Sequence, residues 1–385
     1  MHSHLLSLPR VRAQLLVRAG VLVAVFVLFS NYYSRATGFT ALIQFSKHGH
    51  SSELPVVQQI PHYDHAGSAA YDGQFYAQMA IVPFLTTPAI DKAMDNPPYR
   101  ARRILASWTA YLAGLGDPPH VLRAYAAQNL VAVILLAVLL SRTFPLSDWR
   151  STAAWTACLL TPGLMTSVRY ALPDALGATL TVAAVLAVER RRVWLAACLI
   201  GLASLTRETF LLAVPILWIA PDRRIVRSIA ATVLAVAPLL LWQDYLSSIY
   251  RAGGLTAGGH IGNAGSEYLD DVRKMVNKST TRWGRGGRRT ALVSVSMLVQ
   301  VIFVLTRFNW RSAWWWCGSA TGGLMALVTP AIWVGSPRVF LPLAFAFNAL
   351  LPRDSRWFWV LFIAGNLFVL MTIDILVVPL LRWRG

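Results

Sequence analysis

Apolar residues run in long blocks along this chain, and charged residues collect at the breaks between the blocks. Blocks of roughly 15–22 residues, bounded by charges or by Pro and Gly clusters, have the length of bilayer-crossing helices. They predict eleven spans, at 16–33, 121–140, 151–168, 174–188, 193–206, 209–220, 226–243, 290–306, 312–333, 337–351 and 357–380. Several fall short of the about 20 residues that a straight crossing takes. Those segments tilt, lie partly in protein or end in a cavity rather than in lipid. A shorter apolar stretch, 104–114, reads as an interfacial or re-entrant helix. The expected fold is all-α: a polytopic membrane protein of about 11 transmembrane helices, forming one integral membrane domain over residues 1–385. It has a long first external loop at 34–120 with interfacial, amphipathic helices and a second, basic external loop at 244–289.

Orientation follows from the short connections, because Arg and Lys near helix ends stay on the cytoplasmic side. With the N-terminus inside, every second connection carries them: Arg10, Arg12 and Arg18; Arg142 and Arg150; Arg190, Arg191 and Arg192; Arg223, Arg224 and Arg227; Arg307 and Arg311; Arg353 and Arg356. These fifteen basic residues face only four acids, Asp148, Glu189, Asp222 and Asp354. The expected location is the inner (plasma) membrane, crossed many times, with a cytoplasmic N-terminus. Residues 10–18, then 19–29, then Ser34-Arg35-Ala36 also have the outline of a signal peptide. The charge in the small-residue site makes a poor cleavage signal, and under either reading the next loop lands outside.

Composition sharpens this picture. Of 385 residues 56% are hydrophobic and only 14% charged, far from the balance of a soluble domain. Lys and Arg number 35 against 17 Asp and Glu, a net +18 that in a soluble protein would point to nucleic acid. Mapped onto the loops it is instead the signature of membrane orientation, and no nucleic-acid partner is expected. Cys158, Cys198 and Cys317 each sit inside an apolar segment, so neither a disulfide framework nor a four-thiolate metal site is available.

Ionisable groups near membrane depth are costly and mark functional sites by default. Those on the external ends of spans are few: Asp174, Arg207 and Glu208, Arg338 and Asp374. In the first external loop, Asp72 is the second residue of the string YDGQFYAQMA (71–80), whose Phe75, Tyr76 and Met79 suit an aromatic-faced helix lying on the membrane. Two readings of Asp72 stand side by side: a helix cap serving the amides of Gln74 and Phe75, or a base towards a hydroxyl. Asp174, after Pro173, reads first as a cap. Arg207 and Glu208 read equally as an ion pair across a short loop or as ligands of a substrate. Arg100, Arg102 and Arg103 beside Tyr99, and the basic residues of 273–289, run against the positive-inside trend; clustered guanidiniums near lipid headgroups bind phosphate. His62 and His65, three apart with Asp64 between, can share a metal, but spacing supplies no third ligand; His48, His50, His120 and His260 fall on the same side. Neither HExxH nor GxSxG occurs.

These strings resemble those of the GT-C membrane glycosyltransferases, which use polyprenyl-phosphate sugars as donors. YDGQFYAQMA, PPYRARRILASWTAYLAGLG, SLTRETFLL and PRVFLPL look like successive blocks of one bacterial polytopic set within that superfamily. The resemblance implies a transferase that moves a sugar from a polyprenyl phosphate to a lipid-linked, glycan or protein acceptor at the external face, with inversion. Asp72 aligns with the family's catalytic acid and would serve as general base. Arg338 would hold the leaving phosphate, with Arg207 and Arg102 or Arg103 behind it. Glu208 and Asp174 would bind sugar hydroxyls or orient the arginines, and Tyr76 and Tyr99 would line the substrate. No cofactor is assigned, and a divalent metal is left open: many members follow their acid with a second one, where this chain has Gly73 and Gln74. Membrane lipids are the remaining partners. The rival readings are a lipid or polysaccharide transporter or flippase, which predicts paired broken helices in two halves, and an O-antigen polymerase or ligase-like enzyme, which the Arg-rich loop 244–289 would suit.

Overall fold

The computed structural model describes residues 8–47, 52–66, 71–146, 148–219, 225–250, 273, 277, 285–327 and 337–376. Most of the basic loop 244–289, together with His48, His50 and His260, lies outside them. Helices dominate the described residues, whose strands are two two-residue pieces, β1 (Phe45–Ser46) and β2 (Asp64–His65), paired in parallel.

α1 (Leu8–Ser30) leads into the first loop, which contributes α2 (Gly73–Ile81), α3 (Pro97–Ala101) and α4 (Leu105–Ala113). α5 (Pro118–Thr143) begins with Asp117 accepting from the His120 amide and Pro118 in the first turn, where a missing N–H costs nothing. The expected span 151–168 is two helices, α6 (Trp149–Leu159) and α7 (Pro162–Arg169), because Pro162 has no N–H to continue the ladder. α8 (Asp174–Glu189) and α9 (Val193–Ser204) follow. The expected span at 209–220 is a 3₁₀ helix, Glu208–Trp218, with Pro215 inside it. α10 (Ile225–Ile249), α11 (Arg285–Thr306) and α12 (Ala313–Leu327) come next. A 3₁₀ turn, Pro337–Phe340, then enters α13 (Leu341–Leu350). α14 (Phe358–Asn366) and α15 (Met371–Leu376) make the last apolar stretch.

Among the described residues, five helices are long and apolar enough to cross a membrane: Pro9–Ser30, Pro118–Thr143, Ile225–Ile249, Gly287–Thr306 and Phe358–Leu376. The chain is thus an all-α polytopic membrane protein. On α5, Val131, Leu135 and Val138 form an exposed apolar stripe one helical face wide, as a lipid-facing surface requires. The core lies where α8 packs against α5 and α9, and α9 against α10. Its buried positions are largely small: Ala175, Ala178 and Ala184 on α8, and Ala196, Ala197 and Gly201 on α9. Small side chains let backbones approach closely where lipid offers no hydrophobic drive to association.

One expectation is corrected. α2 does not lay an aromatic face on a membrane surface: Tyr76, Met79 and both glutamines are buried, and the helix packs against α4 and α5. Gln78 explains why, since it accepts from the Leu54 amide at 2.8 Å and donates to the Ala93 carbonyl at 3.3 Å, binding the loop around the helix.

Candidate active site

The site is assembled where helix ends meet. The turn between α7 and α8 is pinned from α5: Tyr125 donates to the Ala171 carbonyl at 2.7 Å, and Asn129 to the carbonyls of Ser167 and Leu172 at 3.0 and 2.8 Å. Ala171 takes a left-handed conformation (φ 45°), a strained position that these bonds hold. α2 starts directly against this turn. A Cβ on Gly73 would come within 2.2 Å of the Tyr170 carbonyl oxygen and 2.9 Å of that of Ile43, so only glycine permits the approach. Tyr71 then stacks on Tyr170 with ring centroids 4.3 Å apart. The Leu105 amide donates to the Leu205 carbonyl at 3.1 Å, which brings the end of α3 beside the segment that carries Arg207 and Glu208.

Arg338 arrives from the far end of the sequence. Its backbone lies against Gly163, where a Cβ would sit 2.8 Å from the Arg338 Cα. Its guanidinium bridges two acids, with Nη2 3.3 Å from Asp72 Oδ2 and Nε 3.7 Å from Asp174 Oδ2. Arg100 Nη1 reaches the same Asp72 oxygen at 2.9 Å and grips Asp95 through two bonds of 2.9 and 2.7 Å. Arg207 Nε is 2.5 Å from Asp174 Oδ1. Arg103 donates to the hydroxyls of Tyr76 at 3.1 Å and Tyr99 at 2.8 Å, and approaches Glu208 Oε2 at 3.6 Å. Asp174 is wholly buried and the arginines nearly so, whereas the Asp72 and Glu208 side chains are 23% and 27% exposed. The cluster therefore opens at those two carboxylates. Charges removed from water persist only when paired, and four acids here meet four arginines.

Two cap readings fail. Asp72 occupies the N-cap of α2 but makes no cap hydrogen bond, and Asp174 falls inside α8, with Pro173 at the N-cap. Both carboxylates point to arginines instead. Nor do Arg207 and Glu208 form a pair across their loop, since each pairs with a residue of another element. Of the sequence candidates, Asp72, Asp174, Arg207, Glu208, Arg338, Arg103, Tyr76 and Tyr99 meet in one network. Arg102 is buried at the end of α3, and Asp374 lies exposed on α15. The sequence places Arg100 in one basic cluster with Arg102 and Arg103 but gives no sign of its pairing with Asp72, which was missed. Arg169 was missed as well. It lies buried at the end of α7, 4.3 Å from the Tyr32 ring and 5.2 Å from that of Tyr170, and forms no ion pair among the described residues.

Both arginines meet Asp72 through Oδ2; Oδ1 accepts no hydrogen bond from the described residues. One carboxylate oxygen is thus anchored while the other stays available to take a proton. The contacts of Arg338, at 3.3, 3.5 and 3.7 Å, are long beside the roughly 2.7–2.9 Å of a firm charge-assisted bond. It is the guanidinium of the cluster least committed to its partners. A groove of about 550 Å³ near Trp149, Phe362 and Leu370 is lined by none of these charged residues, so its size says nothing about this chemistry. Among the described residues, metal-binding geometry is found elsewhere, at Glu53, His62 and Asp64.

A family model described as glycosyltransferase family 87 matches residues 104–337, more than half of the chain. The matched stretch includes Asp174, Arg207 and Glu208, and ends one residue before Arg338. No curated protein and no solved structure matches.

Proposed function

The chain belongs to glycosyltransferase family 87, and on that premise we propose that it transfers a sugar from a polyprenyl phosphate to a hydroxyl of a lipid-linked, glycan or protein acceptor, at the external face of the plasma membrane and with inversion, in the manner of the GT-C enzymes. The observation that carries this is the meeting of Asp72, from the first loop, with Arg338, from the other end of the chain, at one partly exposed cluster. Asp72 Oδ1 takes the acceptor's hydroxyl proton as the acceptor oxygen bonds to the anomeric carbon. The bond from that carbon to the phosphate oxygen breaks, and the phosphate leaves with the electron pair. A phosphate needs no proton to depart, so one base and a few cations suffice, unlike the carboxylate pair of a glycosidase. Arg338 exchanges its long contacts for the developing phosphate charge. Asp174 and Arg207 fix its direction, while Glu208 and the Tyr76–Arg103–Tyr99 group are placed for sugar hydroxyls. The arginine-rich connections at the opposite helix ends support a cytoplasmic N-terminus and an outward-facing site.

The test uses the full chain in membranes with a photoreactive polyprenyl phosphate. Wild type should crosslink, Arg338→Ala should lose at least about tenfold of that signal, and Asp72→Asn should keep it while losing about 10²–10⁴-fold in sugar transfer. Unchanged transfer by Asp72→Asn removes the base. Undiminished crosslinking of Arg338→Ala removes the phosphate site, and a reporter fused at Arg190 that reads external reverses the orientation.

A further inference from the structure

The first loop holds a second cluster of ionisable groups that the transfer reaction does not use. Glu53 precedes a short turn of helix (Pro55–Gln58), His62 follows the Ile60 turn, and Asp64 lies in β2. His62 Nε2 is 3.2 Å from Asp64 Oδ1 and 3.6 Å from Glu53 Oε2, and the three ligand atoms all lie within 4.8 Å of one another. The Glu53 and His62 side chains are 1% and 3% exposed, that of Asp64 26%.

The ring of His62 cannot be read either way round. Its Nδ1 is 2.7 Å from the Ile60 carbonyl oxygen, which only accepts, so Nδ1 carries the hydrogen. In the neutral imidazole Nε2 then carries a lone pair, aimed at two carboxylate oxygens. A cation placed among these three atoms would be held by all of them. The spacing suits one: ligands about 2.0–2.2 Å from a tetrahedral ion stand roughly 3.4 Å from each other, beside the 3.2 and 3.6 Å found here. A backbone carbonyl fixing the distal ring nitrogen is also the usual arrangement around a metal-bound histidine.

We propose that Glu53, His62 and Asp64 form a divalent-cation site of the zinc class, with the partly open side at Asp64 leaving the fourth position to water. One imidazole with two carboxylates suits Zn²⁺ better than Mg²⁺ or Ca²⁺, which prefer oxygen alone. The neighbouring His65 is not a ligand, because its Nε2 sits 2.8 Å from the Gln44 amide nitrogen and 2.9 Å from the Ala41 carbonyl. The ion ties the Glu53 segment to β2. Since the next amide, that of Leu54, is bound by Gln78 of α2, the same clasp steadies the helix that Asp72 opens. Its role is to hold the loop, not to touch substrate.

The experiment uses the full-length protein in detergent, stripped with chelator and dialysed against Zn²⁺. Wild type should take up one more tightly held zinc per chain than Glu53→Gln or His62→Ala, with at least about 100-fold weaker binding in either variant and a thermal midpoint that zinc raises only in wild type. Asp64→Asn, at the exposed corner, provides the readout should a buried substitution fail to fold. Equal zinc uptake by wild type and all soluble variants, or no saturable uptake at all, overturns the site. Sugar transfer is not the readout, so this outcome is independent of the function proposed above.

Discussion

The two ends of α13 carry an arginine each, and the two are used in opposite ways. Arg353, past the C-terminus, donates to the carbonyls of Leu351 and Asn348 at 2.8 Å and lies over the rings of Phe144 and Phe358. That is where a helix dipole favours a cation and where carbonyls lack partners. Arg338, at the N-terminal end, stands where the dipole disfavours it, and is kept there by Asp72 and Asp174. The acids divide in the same way. Asp148, at the Arg353 end, is an N-cap, accepting from the Ser151 amide and hydroxyl at 2.9 and 2.7 Å. Asp72 and Asp174 sit at helix starts yet cap nothing. One end of the bundle spends its charges on closing helices; the other aims them at each other, against local preference. Groups held where local structure would not put them are the mark of a site rather than of a scaffold.

Breaking the site end through its buried acid should have the largest effect. Asp174→Asn leaves Arg207 and Arg338 without their shared carboxylate, and is expected to cost about 3–5 kcal/mol, read as a lower thermal midpoint in detergent together with lost transfer. Arg338→Lys keeps the charge but loses the forked donor. It should reduce transfer by about 10²–10³-fold with little change in thermal midpoint, a result that sharpens the contrast with the other end. Arg353→Ala should do the reverse, lowering stability by about 1–3 kcal/mol through two unsatisfied carbonyls while the remaining folded protein transfers at the wild-type rate. Equal losses of activity from these two substitutions would erase the distinction.

The smallest effect concerns pH. The two bonds from Arg100 hold the Asp95 carboxyl below its ordinary value of 3.8. A lowered value means that the pair stabilises the fold above that pH and is lost as pH falls through the native value. Because Asp95 is half exposed, the difference in melting between wild type and Asp95→Asn should be small at pH 5, and should vanish on further acidification.

Much of this was legible in one dimension, for reasons that also mark the limit. The described parts of the apolar blocks are largely helical, though 151–168 breaks into two helices and 209–220 is 3₁₀, because a backbone in lipid has to satisfy its own hydrogen bonds. Asp72, Asp174, Arg207, Glu208 and Arg338 stood out because charge at such depth is costly. Arg169 did not, since it lies at a helix end where a cation needs no special account. The aromatic string after Asp72 misled in one respect: the same periodicity suits a membrane surface and a protein interior, and Gln78 decided for the interior by binding two backbone groups of its own loop.

What the sequence by itself determined was membrane residence, helical class and the short roster of costly charges, because each follows from local composition and the price of an unpaired polar group in lipid. Which charges meet was decided only in three dimensions. Glycines 73 and 163 let backbones touch, the Leu105–Leu205 bond set the height of Arg103, and a turn pinned by Tyr125 and Asn129 delivered Asp174. Pairing between residues more than 260 positions apart, as for Asp72 and Arg338, leaves no trace in spacing. It exists because packing places two helix ends side by side.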